Sequence, residues 1–450
     1  MPKTRNKTKP VCVGIIGGGW AGLTTAVELA SNGMKPIVIE SARQLGGRAR
    51  CVKFNDLRVD NGQHLLTGAC STLLNTLDTI GINEEDVFQR EPLQLLVNAS
   101  NNEYLKLSTP SLPAPFHLLI GMLSARGISL LERVQLLRFG SRIVQDKIAL
   151  ETDVSVQALL LAQKQSARLV RLLWEPLAIA ILNTPIKDAS ARIFIKVLQE
   201  SFSGAASNTE FLFPSVDLSR LFPIHALDYI EQNNGKIILS ERVSQIDQHE
   251  EYSFSLHTNK QVIACDHIVI ATSPDNSKRL LENFPRMNPS SERIGQLGNL
   301  PICTIYLRYP TDIKLSTTMI GLLYGHSQWV IDRAVSGQPG LMSVVISGPG
   351  SHMELDPDEL GKIISQEIAE QFPLWPAPLE IMVIRDKRAT FAATTGVDQI
   401  RPKNKTAISG LWLAGDYTDT GLPSTLEGAM RSGSQCAQQL IDTLKPIHPI

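Results

Sequence analysis

The chain is short of net charge, of paired cysteines, of aromatic rings and of long apolar runs, and each shortage excludes a class of function. Its 43 Lys and Arg nearly cancel its 44 Asp and Glu, leaving a formal net charge of −1, so no overall field directs it to nucleic acid. Six cysteines (12, 51, 70, 265, 303 and 436) are scattered without a CxxC pair. This argues against a disulfide framework or a thiolate zinc site and for a reducing compartment, and no metal site is expected. Aromatic residues make up only 6% of the chain, with no obvious cage to hold an amine between two rings; Tyr417 alone offers one wall. Neither long uncharged stretch suits a bilayer span: 107–125 contains Pro110, Pro113 and Pro115, and 334–353 is rich in Gly and Pro. Lys3, Arg5, Lys7 and Lys9 are not followed by the apolar stretch of a secretion signal. Residues 1–10 therefore read as a solvated tail, with weak attraction to an anionic membrane surface as the alternative. The expected location is the cytoplasm, with the inner face of the membrane as a variant of it.

What is present suits a large folded protein. At 43% hydrophobic and 19% charged residues, 450 positions bury a sizeable core and suggest two or three domains. VCVGII (11–16) reads as a strand, GGGWAG (17–22) breaks it, a helical stretch ends near Gly33, and IVIE (37–40) reads as a second strand. Further strand signals lie at 235–240, in the ERVSQI that follows, at 267–272 and at 411–415, the last before a helix from about Leu426. Together they predict one Rossmann-like α/β domain assembled from discontinuous segments, 11–80, 206–290 and 405–450. Apolar residues recur at three- and four-residue spacing from about 115 to 205, and strand-like runs fill about 300–400. The segments 81–205 and 291–404 thus predict a second, α+β domain that holds the substrate.

Gly17, Gly19 and Gly22 form G-x-G-x-x-G after a strand and at a helix start. The first glycine permits the tight turn, the second lets backbone approach a pyrophosphate, and the third lets helix pack on strand. Glu40, at the end of the second strand, is placed to accept hydrogen bonds from ribose hydroxyls. Gly46, Gly47 and Arg48 follow closely, adding uncovered backbone and a fixed cation near phosphate.

This opening resembles the FAD-binding start of the flavin amine oxidase and carotenoid desaturase superfamily, and LAGDYTDTGLPSTLEGAMRSG (413–433) resembles its closing motif. The resemblance implies that Gly415 and Asp416 meet the ribityl-phosphate region and that the helix beginning at Thr425 and Leu426 points at the flavin ring. It further implies that Val243 contacts adenine through its backbone, and that Trp20, Ala21, Gly62, Gln63, His64 and Ala271 also border the cofactor. Positions 417–425 contain no cysteine, so the FAD is expected to be non-covalent.

DNGQHLLTGA (60–69), WEPLAIAILNTP (174–185) and the GLPSTLEGA loop narrow the resemblance to the hydroxysqualene dehydroxylase family. That implies reductive removal of an allylic hydroxyl by hydride from FADH2, giving squalene, often on the way to hopanoids. A carotenoid-type polyprenoid desaturase and a flavin amine oxidase are the alternatives. Such chemistry needs reduced flavin, an electron donor that the sequence does not identify, a proton donor, and an apolar tunnel for a triterpenoid. The candidate donors are Asp419, His64, Asp60, Glu427 and Glu175, the last expected to pair with Arg168 or Arg171. A water-insoluble product implies a peripheral membrane contact. Residues 110–140, with Pro113, Pro115, Phe116, Leu118, Leu119, Ile120 and Met122, are its expected surface.

Overall fold

Strand Cys12–Ile16 is buried along its last four residues, and an apolar run of this kind needs partners on both edges and cover on both faces. Lys35–Ile39 and His267–Ile270 pair with it in parallel, and Lys236–Ile238 and Leu411–Leu413 extend the sheet outward. The result is a five-stranded, all-parallel sheet in the order 236–238, 35–39, 12–16, 267–270, 411–413. Ile16 lies opposite both Ile39 and Ile270, so Gly17, Glu40 and Ala271 emerge side by side at the carboxyl edge. Open α/β sheets bind their ligands at that edge. Helices Trp20–Ser31 and Leu426–Leu444 cross so closely that a β-carbon on Gly433 would lie 2.3 Å from the Ala21 carbonyl oxygen. The fold is thus of the Rossmann-like α/β class. The computed structural model describes residues 10–99 and 103–445; the basic positions Lys3, Arg5, Lys7 and Lys9 lie outside the described residues.

Strand Val243–Glu250 does not join this sheet. It pairs antiparallel with Ser253–Thr258, which pairs in turn with Val262–Cys265. The reason lies in its composition: beyond Val243 only Ile246 is buried, and a polar strand cannot be covered on both faces as a parallel sheet demands.

A second, seven-stranded sheet runs in the order 380–390, 300–308, 341–347, 329–332, 319–322, 94–98, 104–108. Helices spanning 116–202 pack beside it. Among them the apolar run 167–182 is not one regular helix. A π turn, Val170–Trp174, separates Ala167–Leu169 from Glu175–Leu182, next to Pro176, which has no N–H to give to the α pattern. Trp174 is core packing: it is buried edge-on against Phe139 and Phe194, and its indole N–H donates to Gln165.

Candidate active site

The carboxyl edge of the parallel sheet opens into a cavity of about 460 Å³ whose floor is backbone. Gly17 has φ +112°, and a β-carbon there would sit 2.5 Å from the Ala271 carbonyl oxygen. At Gly22 a β-carbon would come within 2.1 Å of the Gly17 oxygen, so the helix rests directly on the turn, and Gly22 packs rather than lining the cavity. Gly19 and Gly47 face one another, the nearest atom to a Gly19 β-carbon being the Gly47 Cα at 4.0 Å. Among the described residues no side chain caps the helix at Gly19, which leaves its first-turn N–H groups to an anion. Glu40 Oε2 accepts the Gly18 N–H and Oε1 the Ala42 N–H, each at 2.7 Å. Oε1 also accepts the Ser41 hydroxyl at 3.2 Å, so these bonds fix the carboxylate at the cavity wall with an acceptor site on Oε2 remaining for a hydroxyl. Trp20, Ala21, Gly46, Val243, Ala271, Gly415 and Asp416 are also part of the lining. Trp20 donates its indole N–H to the Ala49 carbonyl at 3.0 Å. At the far end Thr425 caps helix Leu426–Leu444, its hydroxyl accepting the Gly428 N–H at 3.0 Å. Glycine-floored walls, two helix N-termini and an acid at the second strand end fit a dinucleotide.

A second cavity, about 340 Å³ and mostly apolar, runs between helices 175–182 and 191–202 and the seven-stranded sheet. Leu65, Leu93, Leu95, Leu177, Ile181 and Phe202 are among its walls. Its few polar groups are largely engaged. Asn183, left-handed at a helix end, accepts the Gly348 N–H and donates to the Pro301 carbonyl and the Thr390 hydroxyl. Burial pushes the Cys70 thiol up to about 12, and Glu427 adds to this. The two cavities share Arg48, Asn61, His64, Asp386, Ala389, Ser424, Thr425 and Leu426, so a group bound in one meets a group bound in the other there.

The sequence-derived candidates divide sharply. His64 lines both cavities. Its Nδ1–H donates to the Gly62 carbonyl at 2.8 Å, and burial holds its pKa below the ordinary value despite nearby Asp60. Gly62 and Gln63 line the apolar cavity only. Asp60 lines neither, because its carboxylate is spent inside the protein. It pairs with Arg333 at 3.0 Å, both side chains 2% exposed, and accepts the Leu218 N–H at 2.8 Å. Arg333 also donates to Gln63 at 2.8 Å, and the Tyr306 hydroxyl donates to the Asp60 carbonyl, so this cluster braces the 60–64 loop. Glu427 is likewise committed. It accepts the N–H groups of Thr72 and Leu73, both at 3.1 Å, and pairs with Arg431. Arg48 lines both cavities, held in place by Asp416 at 2.6 Å and by the Ala389 carbonyl.

Asp419, the first candidate acid, is exposed and borders neither cavity. The buried guanidinium of Arg401 donates to the carbonyls of Asp416, Thr418 and Leu422, which curls the loop around itself and turns Asp419 outward. Tyr417 forms no substrate wall either: it is fully buried behind Gly415, with its hydroxyl on Ser277 at 2.9 Å. Glu175 is not the partner of Arg168 or Arg171, which reach Glu103 instead. On helix Phe116–Leu123 the apolar residues split: Leu118 and Met122 are core, whereas Phe116, Leu119, Ile120 and Leu123 are exposed, near exposed Leu130, Leu131 and Val134. Arg333, Asp386 and Arg401 belong to the site or its supports without any local motif; each lies far along the chain from the glycine turn.

Residues 20–441 match the model of the family described as flavin containing amine oxidoreductase. The chain is 26% identical over 439 residues to hydroxysqualene dehydroxylase of Zymomonas mobilis, covering 94% of this chain and 97% of that one. It is 25% identical to the 15-cis-phytoene desaturase of Glycine max, covering 96% and 80%. An oxidoreductase from Methanosarcina mazei has the same fold, with a TM-score of 0.74 at 15% identity, covering 96% of this chain and all of that one.

Proposed function

The chain belongs to the family of flavin containing amine oxidoreductases, and from this we propose that it is a hydroxysqualene dehydroxylase, replacing an allylic hydroxyl by hydrogen to give squalene. It is an FAD-dependent oxidoreductase, and the glycine-floored cavity with Glu40 fits that cofactor. The observation that carries the reading is the junction: an apolar tunnel meets the cofactor cavity across eight residues, none of them Phe, Tyr or Trp. A substrate chain in the tunnel lies against mostly apolar walls that exclude water from a developing allylic cation, and among the described residues of the junction no pair of Phe, Tyr or Trp rings clamps an amine. When bound, reduced FAD supplies the two electrons and the proton that replace the hydroxyl on carbon. The rest falls to the protein. Glu40 and the Gly17–Gly22 turn hold the nucleotide end, the N-terminus of helix Leu426–Leu444 favours negative charge at the junction, and the tunnel orients the chain.

Anaerobic single turnover tests this. Hydroxysqualene added to dithionite-reduced enzyme restores the oxidised-flavin colour and yields squalene. The opposite pattern, with alcohol inert and squalene-type hydrocarbons bleaching oxidised enzyme, points to a polyprenoid desaturase and overturns the proposal.

The same reading includes a peripheral membrane contact, at the inner face, through Phe116, Leu119, Ile120 and Leu123 with Leu130, Leu131 and Val134. Among the described residues no helix is long and apolar enough to cross a membrane. Binding to liposomes, followed by flotation, should fall when Phe116 and Leu119 are both replaced by Glu. Unchanged flotation of the folded variant excludes this surface.

A further inference from the structure

We propose that Asp386 is the catalytic acid of the junction, the group that delivers the proton leaving with the substrate oxygen. The assignment rests on the dehydroxylase reading. In that reaction the C–O bond breaks and a C–H bond forms with two electrons and a proton from reduced FAD. The oxygen departs as water after gaining one further proton. That second proton must come from a group facing both the reacting carbon and a route to solvent.

Of the eight residues common to the two cavities, only Arg48, His64 and Asp386 ionise. Arg48 keeps its charge and is bound to Asp416 and the Ala389 carbonyl. His64 spends its Nδ1–H on the Gly62 carbonyl, so the neutral ring presents Nε2 as an acceptor with no proton to give. Asp386 differs from both. It lies on strand Glu380–Thr390 opposite Ile302, a residue of the tunnel wall, and is half-buried, so solvent can return a proton to it. One oxygen, Oδ1, accepts the Arg388 N–H at 2.9 Å; the Arg48 guanidinium faces the carboxyl electrostatically across the junction, but among the described residues no hydrogen bond or ion pair holds Oδ2. The other tunnel carboxylates lack that freedom: Glu427 caps a helix, and Glu200 is gripped by Arg431 through two bonds of 2.8 Å and by Lys196. During turnover the Asp386 carboxyl gives its proton to the leaving oxygen, becomes a carboxylate, and is reprotonated from its exposed side.

Two measurements on FAD-loaded enzyme test this. In the first, infrared spectra of oxidised holoenzyme with squalene bound should show a protonated-carboxyl C=O band that is missing in Asp386→Asn. No such band in wild type, or the same band in the variant, overturns the assignment without reference to activity. In the second, hydroxysqualene re-oxidises dithionite-reduced enzyme across a range of pH. Asp386→Asn with a full complement of FAD should react about 10²–10⁴-fold more slowly and lose the fall in rate towards high pH, while Asp386→Glu recovers part of both. A variant matching wild type in rate and pH profile overturns Asp386 alone. If wild type is not re-oxidised by the alcohol at all, the dehydroxylase reading falls and the assignment falls with it.

Discussion

The two cavities meet at one wall but are built in opposite ways. The cofactor cavity is mostly backbone: Gly17, Gly19, Gly46 and Gly47 strip side chains from its floor, and Glu40 is set by two backbone N–H groups. The tunnel is mostly side chain, assembled from residues near 65, 95, 180, 200, 300 and 390. Gly17, Gly22 and Gly46 tolerate almost nothing, because a β-carbon at each would lie within 2.7 Å of a backbone oxygen, whereas Gly19 leaves open space over the floor. Apolar walls tolerate exchange among residues of similar volume.

This contrast predicts a descending series of effects. The most severe is Gly22→Val, whose added carbons begin 2.1 Å from the Gly17 oxygen. The protein should purify colourless or fail to fold, and a yellow, FAD-replete variant would break the contrast outright. Next is Arg333→Met, which leaves Asp60 buried without its partner. Urea unfolding should show a loss of about 3–5 kcal/mol although Arg333 is remote in sequence from every glycine motif. Glu40→Ala removes one polar wall of the cofactor cavity. Each charge-assisted ribose bond lost should weaken FAD binding by about 1.5–3 kcal/mol, read by titrating apoenzyme, with squalene binding to holoenzyme unmoved. Leu95→Met, in the buried tunnel wall, should cost less than about 1.5 kcal/mol in stability and leave FAD content unchanged. A larger change there would show that the tunnel is as exacting as the turn.

The smallest effect concerns pH. Burial lowers the pKa of His64 below its ordinary 6.5, as it does for His267 and His352. Below 6.5 the unfolded chain takes up protons that the folded rings refuse, so stability falls with falling pH and is unaffected well above that value. Replacing His64 by Gln should remove at most about 0.7 kcal/mol of the loss between roughly pH 7 and pH 6, seen as a shallower drop in urea midpoint. A steeper drop in the variant would contradict a neutral buried ring.

The same contrast explains what could be read from sequence. The G-x-G-x-x-G turn, Glu40 and the strands around them were legible because close backbone approach dictates residue type at fixed spacing. The helix after the flavin loop was legible for the same reason. Asp386 was not, since nothing near it in sequence marks it, and its place at the junction depends on how strand Glu380–Thr390 registers against Leu300–Arg308. Asp419 looked suitable by loop position alone. Only the buried Arg401, gathering the loop's carbonyls from the preceding segment, determines that its side chain faces outward. Strand Val243–Glu250 had the right apolar start for the parallel sheet, but its polar remainder sent it to a different one.

Because Arg48, Asn61, His64, Asp386, Ala389, Ser424, Thr425 and Leu426 are walls of both chambers, filling either one changes the surroundings of the other. Binding to them is therefore a linked equilibrium. Whatever factor a tunnel ligand imposes on FAD affinity, FAD imposes on that ligand, and the reciprocity is thermodynamic, independent of the chemistry performed there. A tunnel ligand that binds differently with and without FAD is on this account also an effector of cofactor retention.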